Sequence, residues 1–414
     1  MLPRDLVMRM AHRAEATAAT DAEIELLLCC ARIQTDAEME TRLTTLARRN
    51  LNWDHLVRMA VRHGMMPLLY WHLHRVCPHT VPAAVLDDLR SRFQQNARRN
   101  LTLTAELRAV LELLANHRIA VIPYKGPMLA SFVYGNLALR QFMDLDILVH
   151  KSDVLRAKDL LISRGYQPTL QLTRTQETAY LESNHEYVLW HERDVLLEVH
   201  WAFGPRFFSF AFDPEGVWAR AERTSLAGAM VPTLSPEDLL LILCMHHSKD
   251  AWVRLEWICG VAELIRRHDR MKWRWVIGQA DTLGMRRMLF LGLYLASDVL
   301  GAALPEHVLR TVQADRSVRG LARQVRRRLF VERREEQGVF QLSAAQIAFH
   351  LGVRERARDK LRYSLRLVMS PGVGDQTFFT LPPAVSFLYY PLRPLRLAGK
   401  WLVGRITRHA TDGA

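Results

Sequence analysis

The N-terminal part of the chain carries apolar residues at helical spacing. Residues 101–117 repeat them at intervals typical of the buried face of an amphipathic helix, namely at Leu103, Leu107, Val110, Leu111 and Leu114. Residues 23–33 and 54–63 show the same spacing, and no stretch before residue 119 alternates between apolar and polar residues. We therefore predict a helical region over residues 1–118.

The pattern changes at residue 119, where short runs of apolar and β-branched residues appear. Such runs are typical of strands, above all where they alternate with polar residues. The predicted elements are a strand at 119–123, a helix at 128–134, a strand at 142–150, a helix at 154–163, and strands at 186–190 and 195–201. This order predicts a small α+β core with a mixed β-sheet over residues 119–210.

Helical patterns return after Pro214. Ser235 followed by Pro236 is typical of a helix N-terminus, and an apolar run follows it. We predict that residues 211–309 are helical and pack on the core, and that residues 310–414 form a basic helical and Pro/aromatic-rich region. The predicted fold class is α+β, with a small mixed sheet embedded in a mostly helical protein.

The positive charge is concentrated in that last region. The 414 residues include 56 Lys and Arg against 43 Asp and Glu, a formal net charge of +13. Residues 310–414 hold +12 of this excess and residues 1–309 only +1. The basic region has three interpretations: a solvated helical surface, a contact with RNA through phosphates, or a contact with an anionic membrane. The aromatic, Pro and Arg residues at 378–402 would suit an interfacial segment.

The cysteines and the lengths of the apolar runs indicate the cellular compartment of the protein. The five cysteines are widely spread without metal-ligand spacing, so we predict reduced, buried thiols. No uninterrupted apolar run reaches the length of a membrane helix, and residues 1–19 lack the apolar core of a secretory signal. We expect a cytoplasmic protein and leave open a peripheral contact with the membrane.

Candidate chemistry lies on the predicted strand at 142–150. Asp144 and Asp146 are two residues apart, so both carboxylates point to one face, while Leu145, Ile147 and Val149 point into the core. Two neighbouring carboxylates repel each other unless a cation lies between them. Oxygen ligands suit Mg²⁺ or Mn²⁺. Asp-x-Asp alone is common by chance, so the order of the motifs around it carries more weight.

A third carboxylate is predicted on a later strand. Glu198 lies between apolar residues, where a charge is costly unless it is paired or binds a metal. If its strand lies beside that of Asp144, three carboxylates converge; otherwise Glu198 is an edge-strand carboxylate in water. His200 lies on the same strand face as Glu198 and is the best active-site candidate among the histidines. The adjacent pair at 246–247 cannot chelate one metal, and we predict structural roles for the other histidines.

Positive groups precede the Asp strand. The Lys125-Gly126 turn comes before a predicted helix, whose free N–H groups can bind phosphate, and glycine allows close backbone approach. Lys125 and Arg140 can each add positive charge. Because the glycine is single, this is not a Walker loop, and a simple turn is the alternative.

These motifs resemble the polymerase-β-like nucleotidyltransferase superfamily, in which a glycine turn and a helix lead to an Asp-x-Asp strand. The chain is most similar to an uncharacterised nucleotidyltransferase family found in bacterial biosynthetic clusters. That family is recognised by a Lys-Gly turn, an Arg before Asp-x-Asp, and an acidic residue followed by His-Trp. The motifs in this chain are Lys125-Gly126, Arg140, Asp144 with Asp146, and Glu198-Val199-His200-Trp201. The similarity covers roughly residues 20–300.

The resemblance implies a metal-dependent nucleotidyltransferase. Such an enzyme transfers a nucleoside monophosphate from an NTP to a hydroxyl or phosphate acceptor and releases pyrophosphate. The implied catalytic residues and ligands of Mg²⁺ or Mn²⁺ are Asp144, Asp146 and Glu198. The implied nucleotide-binding residues are Lys125, Gly126, Arg140 and His200. The alternative hypothesis is a non-catalytic protein of the same fold that binds RNA, a membrane or a biosynthetic partner through its basic C-terminal region.

Overall fold

The computed structural model describes residues 21–205, 208, 210, 212–331, 343–369, 388, 391–394 and 396. Within them the chain is α+β, as predicted, with a small mixed sheet in a mostly helical protein. The helices are α1 (Asp21–Cys30), α2 (Ala37–Ala47), α3 (Trp53–Arg62), α4 (Met66–Val76), α5 (Ala83–Asn116), α6 (Gly126–Phe132), α7 (Val154–Ser163), α8 (Arg174–Ser183), α9 (Pro214–Ala219), α10 (Pro236–Lys249), α11 (Leu255–Arg267), α12 (Trp273–Leu283), α13 (Arg286–Leu300), α14 (Glu306–Ala314), α15 (Arg316–Leu329), α16 (Ala344–Gly352) and α17 (Ala357–Met369). The strands are β1 (Val121–Pro123), β2 (Asp144–Val149), β3 (Tyr166–Pro168), β4 (Glu186–His191), β5 (Val195–His200), β6 (Glu222–Leu226) and β7 (Ala229–Thr233).

Helix α5 connects two hydrophobic cores. It is 34 residues long, whereas the apolar pattern predicted only its second half. Leu86 and Leu89 near its start pack into the core of the helical body. Leu107 and Leu111 in its second half pack into the core beneath the sheet. The sheet is therefore fixed to the helical body by one continuous helix.

The central sheet has the strand order β1-β2-β5-β4-β3. Strands β2 and β5 are parallel, and the other neighbouring pairs are antiparallel. A parallel pair needs a long crossover connection, which here consists of α7, β3, α8 and β4. The sheet is mixed, and the crossover brings two strands that are far apart in sequence side by side.

The two faces of the sheet differ in chemistry. Leu145 and Ile147 are fully buried and Val149 is 1% exposed, all in the core beneath α5 and α7. This confirms the inward direction predicted from alternation. Tyr124 and Leu148 belong instead to the core of the helical body, which includes α10 and α11. The polar residues of β2 and β5 therefore lie between the sheet and this helical body.

A two-stranded hairpin interrupts the region that was predicted to be helical. Strands β6 and β7 pair antiparallel, from Glu222 with Thr233 to Leu226 with Ala229. The connecting Ala227 and Gly228 both have positive φ, +48° and +84°, as tight hairpin turns require. Alanine is not a typical residue for that turn, so the pattern gave no hairpin signal.

The described part of the basic C-terminal region contains helices α14 to α17. The aromatic and Pro-rich run at 378–402 lies largely outside the described residues. The five cysteines are buried free thiols, as expected. In the described part of the chain, no helix combines the length and apolar composition needed to cross a membrane.

Candidate active site

The parallel pairing of β2 and β5 brings Asp146 directly opposite Glu198. Ligand atoms of Asp146, Glu198 and His200 all lie within 4.8 Å of one another. Asp144 lies two residues earlier on β2, opposite Leu196, and is not part of this group. The structure therefore brings together two of the three predicted carboxylates and adds a histidine, which we name the Asp146–Glu198–His200 cluster.

Two cationic side chains contact Asp146. The Nζ of Lys125 donates to its Oδ1 at 2.7 Å, and the Nε2 of His200 lies 3.2 Å from the same atom. Asp146 is only 2% exposed, and burial alone would raise its pKa. The charges of Lys125 and His200 outweigh burial and hold the pKa of Asp146 well below its usual range. Asp146 is therefore a buried anion, stabilised by its neighbours.

His200 lies between three carboxylates. Its Nε2 is 3.2 Å from Oε2 of Glu198, and its Nδ1 is 3.3 Å from Oε2 of Glu186. Burial disfavours the charged imidazole, but the bonds to Asp146 and Glu198 outweigh it and raise the pKa of His200 to about 9. His200 is therefore a cation that lies between these carboxylates.

Asp144 lies close enough to the cluster to respond to its charge. Burial, followed by repulsion from Asp146 and Glu198, raises the pKa of Asp144 to about 6. Lys125 and Arg140 act in the opposite direction and lower it. A further cation near Asp144 would relieve this repulsion, but the metal-binding role of Asp144 stays a prediction.

Gly126 has a steric reason to be glycine. Its φ is +48°, and a Cβ there would lie 2.8 Å from the carbonyl oxygen of Asp144. The turn therefore packs directly on the backbone of β2, an approach that a side chain would prevent. Gly126 also begins α6, which is only seven residues long. Its clearest role is to hold Lys125 against the Asp strand.

The charge of Lys125 compensates the charge of a carboxylate in this structure. Burial disfavours the ammonium, but Asp146 and Glu198 outweigh it and raise the pKa of Lys125. The sequence predicts that Lys125 contacts phosphate, and this stays a prediction. In the structure its Nζ contacts Asp146, the carboxylate that is also predicted to bind a metal.

Arg140 is positioned by α5. The side-chain amides of Asn96 and Asn100 donate to its carbonyl oxygen at 3.2 and 2.8 Å. Its own Nη1 is buried and has no hydrogen-bond partner among the described residues. A buried guanidinium nitrogen without a partner is costly unless a ligand satisfies it, so Arg140 is a candidate for binding an anion. Its charge lowers the pKa of both Asp144 and Glu256.

The donor set fits a divalent cation. Oδ2 of Asp146 is buried without a hydrogen-bond partner among the described residues, so one of its oxygens is unused. Two carboxylates and one imidazole within 4.8 Å of one another are a common set of metal ligands, provided that His200 first loses its proton. Carboxylate oxygens favour Mg²⁺ or Mn²⁺, whereas the imidazole also suits softer transition metals.

Glu186 was not predicted as a site residue. It is the first residue of β4 and pairs with His200 across the antiparallel ladder. Burial raises its pKa, which the charge of His200 partly offsets. A signal was present in the sequence, because only residues 191–194 separate the predicted strands at 186–190 and 195–201. Such a short connection places Glu186 opposite the end of the next strand. Tyr124 was also missed, and its ring packs edge-on against His200 at 5.5 Å.

An aromatic pocket of about 380 Å³ lies at the C-terminal ends of β2 and β5. Leu148 lines it and pairs with His200 in the sheet register. Leu148 lies two residues after Asp146, on the same face of β2, so the pocket begins directly beyond Asp146 on that face. Its aromatic lining residues are Trp201, Phe203, Phe210, Phe212 and Trp218. A pocket of this size and composition is typical of small-molecule sites.

The solved structures to which the chain is similar include three proteins described below. The lincosamide antibiotic adenylyltransferase LnuA with lincomycin bound is 18% identical, over 33% of this chain and 83% of that chain, with a TM-score of 0.26. The antibiotic-resistance factor ANT(2'')-Ia is 13% identical, over 52% and 95%, with a TM-score of 0.30. An antigenic nucleotidyltransferase-like protein from Paracoccidioides brasiliensis is 14% identical, over 51% and 96%, with a TM-score of 0.27.

Comparison with protein families gives a match over most of the chain. No curated protein matches significantly. The family model described as uncharacterised nucleotidyltransferase matches residues 49–301. That range is more than half of the 414 residues and includes α5, the central sheet and α10 to α12. The chain belongs to this family of uncharacterised nucleotidyltransferases.

Proposed function

We propose that the protein is a metal-dependent nucleotidyltransferase that transfers a nucleoside monophosphate from an NTP to a hydroxyl or phosphate acceptor. The observation that carries this proposal is the convergence of Asp146, Glu198 and His200, together with an Oδ2 of Asp146 that has no hydrogen-bond partner among the described residues. The family match supports the reaction class. In this reaction the acceptor oxygen bonds to the α-phosphorus, the bond from that phosphorus to the β-phosphate oxygen breaks, and pyrophosphate leaves.

The residues of the site would have different electrostatic roles. Asp144, Asp146 and Glu198 would hold Mg²⁺ or Mn²⁺, which supplies positive charge to the triphosphate. Glu198 is partly exposed, with a side chain 21% accessible, so it can accept the proton of an acceptor hydroxyl. The Nη1 of Arg140, which has no hydrogen-bond partner in the described part of the chain, can donate to a phosphate oxygen. Lys125 balances the charge of Asp146, and Gly126 keeps that lysine in place.

We place the acceptor in the aromatic pocket. The pocket adjoins the cluster on the side of Leu148 and Phe203, and Tyr124 packs edge-on against both Phe203 and His200. Its lining offers stacking surface and few charged groups, which suits an acceptor with an aromatic or fused apolar ring. The reacting hydroxyl of such an acceptor would point along the sheet face toward Glu198.

Metal and nucleotide binding test the site before an acceptor is known. We expect Mn²⁺ to bind, as measured by its paramagnetic resonance signal, and each cognate NTP with Mg²⁺ to raise the melting temperature. Asp146→Asn should weaken both effects at least tenfold. Asp88→Asn, an exposed residue of α5 paired with Arg92, is the matched control and should change neither. Equal metal binding by the wild type and Asp146→Asn contradicts the proposed site.

A second candidate function is nucleotide binding without turnover. The observation that favours it is the position of Asp144 outside the Asp146–Glu198–His200 cluster. In addition, Asp146 already accepts a hydrogen bond from Lys125. This function predicts that an NTP raises the melting temperature while no pyrophosphate is released. The proposed transferase predicts both effects, so one pyrophosphate assay separates the two.

A further inference from the structure

Helix α17 presents an apolar stripe to the outside of the protein. The side chains of Leu361, Leu365, Val368 and Met369 are exposed by 62%, 56%, 45% and 38%. Their spacing places them on one face of the helix. Large apolar residues are normally exposed singly in proteins, whereas a contiguous row of them marks a contact surface.

The opposite side of α17 is anchored in the protein. Tyr363 is 1% exposed, and its hydroxyl lies 2.8 Å from Nδ1 of the buried His350. The guanidinium of Arg354 lies over the ring of Tyr363 at 4.2 Å. Because these contacts fix the rotation of the helix, the apolar stripe faces away from the protein body.

Basic residues flank the apolar stripe. Helix α17 contains Arg358, Lys360, Arg362 and Arg366 against one acid, Asp359. Arg358 and Arg362 are 69% and 59% exposed, while the side chain of Asp359 is only 12% exposed. The exposed surface of α17 is therefore apolar along its centre and positive at its edges.

Positive charge extends beyond α17. Residues 310–414 carry a net charge of +12. Helix α15 exposes Arg316, Arg319, Arg323 and Arg327 at helical spacing. A partner of this part of the chain must therefore tolerate, or require, dense positive charge.

We propose that α17 docks on an anionic membrane surface. Leu361 and Leu365 would enter the boundary between headgroups and acyl chains, and the flanking basic side chains would contact lipid phosphates. A nucleic acid satisfies only half of these features, because its phosphates pair with arginine but leave the leucines against water. Lipid satisfies both. This proposal does not depend on the proposed transferase activity.

Co-sedimentation of the full-length protein with vesicles tests the proposal. We expect binding to vesicles of phosphatidylcholine with about one-third phosphatidylglycerol, much weaker binding to phosphatidylcholine alone, and release at about 0.5 M NaCl. Leu361→Glu should reduce the bound fraction about tenfold. The matched control is Leu101→Glu, since Leu101 is 60% exposed on helix α5, and it should bind like the wild type.

Several results would overturn the proposal. One is the absence of binding to anionic vesicles, and another is equal binding by Leu361→Glu and Leu101→Glu. A melting temperature lowered by Leu361→Glu but not by Leu101→Glu, with unchanged vesicle binding, would assign the stripe to another part of this chain. A dimer by light scattering that Leu361→Glu dissociates, again with unchanged vesicle binding, would assign it to a second copy.

Discussion

The Nζ atom of Lys125 lies 2.7 Å from Oδ1 of Asp146, in a place where the carboxylate is almost fully buried. Lys125 follows strand β1, whereas Asp146 lies on the neighbouring strand β2, and the turn at Gly126 brings the two residues together. A buried carboxylate is tolerated only if positive charge or hydrogen bonds compensate it. Lys125 thus compensates the buried charge of Asp146 in the metal-free protein, a role that any bound metal would share.

We expect Lys125→Met to destabilise the metal-free protein by about 3–5 kcal/mol, because it leaves Asp146 with only His200 as a cationic partner. Mn²⁺ should restore more stability to this variant than to the wild type, since the metal replaces the lost charge. The measurement is urea unfolding with and without Mn²⁺. Lys151→Met is the control, because Lys151 pairs with Glu182 on the surface, and it should cost less than about 1 kcal/mol.

Gly126→Ala should be more harmful than an ordinary glycine substitution at positive φ. A left-handed φ costs alanine about 1–2 kcal/mol, and at Gly126 the new Cβ would also lie 2.8 Å from the carbonyl oxygen of Asp144. Gly301 has φ +65° with no atom within 4 Å of its Cβ position. Gly301→Ala therefore measures the backbone cost alone. Equal melting temperatures of the two variants would contradict the close-packing explanation.

Much of the site follows from local pattern. Alternation placed Asp144 and Asp146 on one face of β2, and the apolar neighbours of Glu198 marked a costly charge. The short loop at 192–194 fixes the register of β4 and β5, so the pairing of Glu186 with His200 was within reach of the sequence. These features depend on residues close together in the chain.

Other features depend on contacts between distant segments. The parallel pairing of β2 with β5 follows from the crossover through α7 and α8, which no local pattern encodes. The bond between Lys125 and Asp146 depends in turn on the packing of the glycine turn against β2. The hairpin of β6 and β7 was missed because its turn uses Ala227, a residue that seldom adopts positive φ.

Two buried histidines predict lower stability in acid. Burial lowers the pKa of His63 to about 3 and that of His350 to about 4. An unfolded histidine has a pKa of about 6.5, so the unfolded state binds more protons below that pH. The stability that each neutral histidine contributes is complete above about pH 6.5. It is lost as the pH falls toward the folded-state pKa, about 3 for His63 and about 4 for His350, and the loss is about 2 kcal/mol each at pH 5.

Urea unfolding at pH 7 and pH 5 measures this effect. His63→Gln and His350→Gln should each reduce the difference in free energy of unfolding between the two pH values. His79→Gln is the control, because His79 is exposed, and it should keep the wild-type difference. An unchanged difference in both buried-site variants would show that other groups govern acid stability.

The aromatic pocket predicts an effect of Gly204 on acceptor binding alone. Gly204 lines the pocket, and a Cβ there would only touch Cε of Met245 at 3.5 Å. Gly204→Leu should therefore fold normally and fill the cavity. We expect 4-fluorophenol to show broadened fluorine resonances with the wild type and sharp ones with Gly204→Leu, while NTP binding persists in both. Gly278→Leu, at an exposed helical glycine, is the control.

A loss of NTP binding in Gly204→Leu would mean that the nucleotide base, not the acceptor, occupies the pocket. Unchanged fluorophenol broadening in Gly204→Leu would place the aromatic ligand elsewhere.

Transfer of label from α-labelled NTPs tests the central claim most directly. The four NTPs would be incubated with Mg²⁺ or Mn²⁺, the protein, and a small-molecule extract of cells that express it as the source of acceptor. The account predicts a labelled product and released pyrophosphate with the wild type and with Asp88→Asn. It predicts at least a hundredfold loss with Asp144→Asn, with Asp146→Asn, or after removal of the metal by a chelator. Equal label transfer by the wild type and Asp146→Asn would contradict it.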